Sequence, residues 1–102
     1  MNPEFGELVA RARELIDQKA KVAIYGEEAD WFSPQTLCFN IAPTMCVFAK
    51  PNMERYSGIY GITQLTPSEI DTIVFYNSDM PLPAGFQKVS EINPNAFIAQ
   101  KK

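Results

Sequence analysis

The sequence predicts a single α+β domain over residues 1–102, with one N-terminal amphipathic helix packed on a mainly antiparallel sheet of about five strands. Three observations carry this. Apolar residues recur at helical spacing near the start of the chain. The remainder is cut into short runs rich in β-branched and aromatic residues. Those runs are separated by short connections rich in Pro, Gly and Asn.

The helix is expected over 3–18. Asn2 suits an N-cap and Pro3 the first helical position, where no backbone donor is missed. Phe5, Leu8, Val9, Ala12, Leu15 and Ile16 line one face, and Glu7, Arg11, Glu14 and Gln18 the other. Glu7 and Arg11 form a favourable pair four residues apart. The apolar face is expected to be core, Leu15 included.

Lys21–Tyr25 is expected as a strand, followed by an acidic interruption at Glu27, Glu28 and Asp30 and a loop holding Trp31 and Phe32. Residues 36–41 and 45–50 look like two arms of a hairpin. Leu37, Phe39 and Ile41 alternate on one arm and Met45, Val47 and Ala49 on the other. That register brings Cys38 and Cys46 together on the opposite face. Residues 55–65 are expected as a further arm interrupted by Gly58 and Gly61. Thr66-Pro-Ser-Glu69 has the form of a capping box opening a helical turn. Within 71–76, Ile73, Val74 and Phe75 are consecutive, which suits a central strand buried on both faces. Residues 77–85 form a loop, 86–92 a last edge strand, and 94–100, after Asn93-Pro94, a short helix or a frayed end.

The composition closes several routes to function. There is no histidine, so Ser-His and Cys-His dyads and histidine metal sites are excluded. Only two cysteines occur, too few for a four-cysteine zinc site. Nine basic residues stand against twelve acidic ones, and the cations are dispersed, which argues against nucleic acid. No apolar run is long enough to span a membrane, and the first fifteen residues lack the layout of a signal peptide. Cytoplasmic residence is therefore expected, with Cys38 and Cys46 as buried, reduced, inert thiols, and a cross-strand disulfide as the alternative. No phosphate-binding glycine motif is present, and no cofactor is expected. The acidic cluster holds oxygen ligands that hard cations favour, but its spacing is not that of a calcium loop, so a solvated loop is expected.

The aromatic residues carry the functional expectation. Trp31 and Phe32, beside the acidic cluster, suit a partner-binding anchor with a charged rim, and Tyr25, Tyr56 and Tyr60 extend the set. The leading reading is a small binding protein without catalysis, of the size and acidity common among phage and mobile-element accessory proteins. The alternative is a small-molecule-binding domain or minor enzyme, with a pocket between helix and sheet lined by Tyr25, Tyr56, Tyr60 and Tyr76. A homodimer is expected, because the 36–41 and 45–50 arms lack the prolines and most of the charges that usually blunt a sheet edge.

Overall fold

The computed structural model describes residues 3–27, 30, 32–41, 45–49, 56–58 and 64–102. In chain order the elements are α1 (Pro3–Leu15), β1 (Lys21–Gly26), α2 (Phe32–Ile41), β2 (Met45–Ala49), β3 (Tyr56–Ser57), β4 (Gln64–Leu65), a 3-10 turn (Pro67–Glu69), β5 (Thr72–Tyr76), β6 (Phe86–Asn93) and β7 (Ala96–Lys101). The strands form one sheet in the order β4-β3-β2-β1-β5-β7-β6. Two of the seven are two-residue strands, which leaves five of ordinary length. β1 pairs in parallel with β2 and β5, and the other pairings are antiparallel. The class is α+β, with α1 packed on the sheet as expected.

Both helices cover the same face. Phe5, Leu8, Ala12 and Ile16 of the α1 region and Leu37, Cys38 and Ile41 of α2 meet Val22, Ile24, Phe48, Val74 and Ile98 of the sheet. α1 lies over β6 and β7, and α2 over β1 and β2. The opposite face carries a second core, with no α-helix on it among the described residues. Tyr25, Val47, Ile73, Phe75 and Phe97 lie there under Leu65, Ile70, Met80 and Leu82, contributed by the segments before and after β5. With an apolar layer on each side, β1 and β5 are buried almost throughout, so alternation disappears from their sequences. The 3-10 turn is closed as its sequence suggests. The Glu69 carboxylate accepts from the Thr66 N–H at 3.4 Å and from its hydroxyl at 2.9 Å.

Four expectations are corrected. First, residues 36–41 are not a hairpin arm but the second half of α2, and β2 pairs with β1 in parallel. Pro34, Leu37, Cys38 and Ile41 are buried, and their spacing is helical. Asp30 Oδ1 accepts from the Ser33 N–H at 3.0 Å, which caps the helix entry. Phe39, whose apolar character completed the strand-like alternation, points to solvent. Second, the C-terminal segment is β7, inserted between β5 and β6. Pro94-Asn95 is the turn of the β6–β7 hairpin, and Asn93 Oδ1, at the end of β6, accepts from the Asn95 N–H at 2.8 Å. Third, Leu15 ends α1 at 43% exposure and lies outside the core. Fourth, Cys38 and Cys46 are not free thiols but a disulfide, with Cα atoms 5.8 Å apart. It joins helix to strand rather than strand to strand.

Other readings hold. Glu7 and Arg11 pair at 2.9 Å. β5 sits inside the sheet and β6 at its edge. The loop before β6 ends at Gly85, whose φ of 88° suits glycine. The Asn2 cap, Glu28, and the turn at 42–44 fall outside the described residues.

Candidate functional surface at the carboxyl end of the sheet

Of the five aromatic residues singled out by sequence, Trp31 and Tyr60 lie outside the described residues. The other three divide sharply. Tyr25 and Tyr56 are 4% and 5% exposed, on the face away from the helices, with their hydroxyls 3.1 Å apart. Ala49 stands beside Tyr25 in the register, and its small side chain leaves room for the two rings to meet edge to face at 6.0 Å. Tyr25 also packs on Phe75, which stacks on Phe97 at 4.3 Å, and the Lys88 ammonium covers the far side of Phe97. This is an aromatic ladder contributed by four strands, β3, β1, β5 and β7. Burial, the Tyr56 hydrogen bond and the Tyr56 charge all push the Tyr25 hydroxyl well above its ordinary pKa. Tyr76 lies on the helix side, against Phe5 at 4.9 Å. Tyr25 and Tyr56 therefore cannot line a pocket between helix and sheet.

Phe32 is the opposite case. It is 78% exposed at the first turn of α2. Phe39, seven residues on and thus on the same side of the helix, is 65% exposed. Between them lie Gln35 and Thr36, half-buried, and Asn40 is exposed beyond. The Thr36 hydroxyl donates to the Phe32 carbonyl at 3.0 Å, and the Asn40 amide to the Thr36 carbonyl at 2.7 Å. Thr36 and Asn40 are thus turned onto the helix's own backbone. α2 has no charged side chain. Sequence reasoning named Phe32 but missed Phe39, because the hairpin reading placed Phe39 on a buried strand face.

The N-terminus of α2 faces an acidic rim where β1 and β5 end. Glu27 follows β1, Asp30 caps α2, and Glu4 of α1 accepts from the Asn93 amide at 2.7 Å. Burial comes first in raising the Tyr76 hydroxyl pKa, followed by the carboxylates of Asp30, Glu4 and Glu27, with an Asn77 hydrogen bond opposing. Glu27, Asn77, Ser78, Asp79 and Asn95 line a polar crevice of about 240 Å³ at this end. Asn77 turns the chain there with φ 55°, its N–H donating to the Asn95 carbonyl at 2.7 Å. A shallow groove of about 430 Å³ opens at the other end, among Leu15, Asp17, Lys19, Asp71, Gln100 and Lys101. Neither opening is lined by an aromatic residue. Among the described residues no group of side chains is arranged to hold a metal ion, and no helix is long and apolar enough to cross a membrane.

Comparison with protein-family models, with curated proteins and with solved structures finds no match. The surface is therefore interpreted from its own chemistry.

Proposed function

We propose that the chain is a small interaction protein without catalytic activity, which works by presenting the outward face of α2 to another protein surface. One observation carries the reading: two phenylalanines, 78% and 65% exposed, share one side of a helix that bears no charge. Water-facing helix surfaces are ordinarily polar, and an aromatic pair left in water favours cover by a partner. The acidic rim of Glu27 and Asp30 adjoins Phe32 and supplies a charged border to the apolar centre. The absence of histidine supports a role without general-base chemistry. The disulfide adds to this, since it removes both thiolates from nucleophilic chemistry.

The same bond bears on the compartment. The sequence expectation is cytoplasm with reduced thiols, whereas structural disulfides persist in oxidising compartments. Rapid acid quenching of host cells, then alkylation before and after reduction, separates the two. Modification of Cys38 and Cys46 only after reduction would set the cytoplasmic expectation aside.

The test of function compares the natural chain with Phe32→Ser/Phe39→Ser. Each is immobilised, exposed to native host extract spiked with soluble copies of the same chain, and its bound proteins are quantified by mass spectrometry. The expected result is specific retention by the natural chain and loss of at least tenfold in the double variant. Equal retention by both would remove α2 as the working surface.

A further inference from the structure

We propose that the surface meeting α2 is α2 of a second copy of this chain, in an antiparallel two-fold contact that places Phe32 of each protomer against Phe39 of the other. The inference rests on the reading of α2 as the working surface and names its partner.

Four observations lead to a second copy. The first is spacing. Phe32 and Phe39 are separated by seven residues, about 10 Å along the axis. A two-fold axis passing beside Gln35 and Thr36 therefore superimposes each ring on the other position, and the face is complementary to itself.

The second is charge. The chain carries a net charge of −3, and a two-fold contact sets any charge near its axis against its own copy. α2 is free of charged side chains from Phe32 to Ile41, so it offers a face on which no like charges meet. The antiparallel direction also matters. It sets the two Asp30 caps at opposite ends of the contact, about 15 Å apart along a ten-residue helix. That exceeds the screening length of about 8 Å at physiological salt. A parallel contact would set them side by side.

The third is area. A Phe side chain buries about 150–250 Å², so at the observed exposures the pair offers roughly 300 Å² of aromatic surface per protomer. Even with the flanking Gln35, Thr36 and Asn40 the contact stays below about 1,200 Å² in total, the range of weak, transient interfaces, and the expected dissociation constant is no tighter than on the order of 10 μM.

The fourth removes the competing route. Among the described residues, one sheet edge is β4, two residues long. The other is β6, which carries Lys88 and Glu91 paired at 2.9 Å and two register shifts, one from Lys88 to Ser90 and one from Glu91 to Asn93. Short length, charge and bulges are the devices that prevent edge-to-edge pairing. Self-association through the sheet is thereby disfavoured, and the face of α2 remains.

Sedimentation equilibrium from about 1 to 200 μM is the direct test, bracketing the expected constant. The natural chain should pass from 11.5 kDa to twice that mass, while Phe32→Ser/Phe39→Ser stays at 11.5 kDa with an unchanged melting curve. A second measurement fixes the geometry. Under mild oxidation, Thr36→Cys beside the axis should cross-link to a covalent dimer at least fivefold more than Gln87→Cys on β6, with the native disulfide intact. A natural chain that stays at 11.5 kDa throughout overturns the second-copy assignment, as does equal cross-linking of the two cysteine variants. If the chain is monomeric yet retains a different protein through Phe32 and Phe39, the second copy is wrong and the reading of α2 stands. If it is monomeric and retains nothing, both fall.

Discussion

Leu8 and Leu15 lie seven residues apart on one helix, and their environments differ completely. Leu8 is fully buried between α1 and the sheet, whereas Leu15 overhangs the open groove where α1 ends. Leu8→Ala should cost about 3 kcal/mol, from lost burial and the cavity left behind. Leu15→Ala should cost less than about 0.5 kcal/mol, as exposed positions generally do. Urea titration of both variants checks the pair, and equal costs would contradict the placement of the α1 end. Tyr25 and Tyr56 provide a second test. Tyr56→Phe should destabilise by about 1–2 kcal/mol, since it leaves the buried Tyr25 hydroxyl without its partner. The double Phe variant should lose less than the two single changes added together. Tyr25 also predicts alkaline behaviour. Its folded pKa is raised, so below about pH 10 both states keep the proton and stability is unaffected. Above that, the unfolded chain releases a proton that the folded chain retains, and stability falls as pH rises. Tyr25→Phe should flatten this decline in unfolding midpoints measured between about pH 9 and 11.

α2 shows how one run of residues satisfies two periodicities. Leu37, Phe39 and Ile41 alternate as a strand would, while Pro34, Leu37, Cys38 and Ile41 repeat as a helix would. Phe39 belongs to the first pattern alone, and it is apolar yet exposed. Its exposure is thus both the reason the hairpin reading failed and the main evidence for a binding face. The disulfide belongs to the same element. It ties Cys38 of α2 to Cys46 of β2 across a separation of 8 residues. Closing so short a loop should stabilise by about 2–3 kcal/mol. Cys38→Ser/Cys46→Ser should therefore lower the denaturant midpoint by that equivalent. In the natural chain, unfolding without reductant should leave both cysteines unlabelled by maleimide, and labelling should require reduction. Labelling on unfolding alone would restore the free-thiol reading.

At the scale of the whole molecule, the sheet is complete on both faces but unequally covered. Two helices shield one side; the segments flanking β5 shield the other, where the aromatic ladder lies. Aromatic residues that sequence nominated for a partner are thereby divided between core and surface. Tyr25 and Tyr56 serve packing, and Phe32 is left to solvent. The edge argument for a dimer also changes its basis. β2, taken from sequence as an open edge, lies between β1 and β3, and the edges among the described residues are short or charged. Introducing Lys88→Val on β6 would remove the edge charge and its cover over Phe97. That variant should aggregate sooner on heating than the natural chain, followed by light scattering.

Local signals in the sequence determined the α+β class, α1, β1, the 3-10 turn, the buried β5 and the edge position of β6. Each has a local physical cause: helical spacing, a cap, or a run of β-branched residues too apolar for any exposed face. Tertiary structure alone decided that 32–41 is helical, that β7 slots between β5 and β6, and that Cys38 meets Cys46. These depend on contacts between residues far apart in the chain. The four residues Ala96–Ala99 are buried because β5 and β6 flank them, and nothing within the segment specifies that. Exposure of Phe32 and Phe39 is a property of the same kind. A phenylalanine's preference for burial is local, but whether a surface is available to bury it depends on how the rest of the chain is arranged.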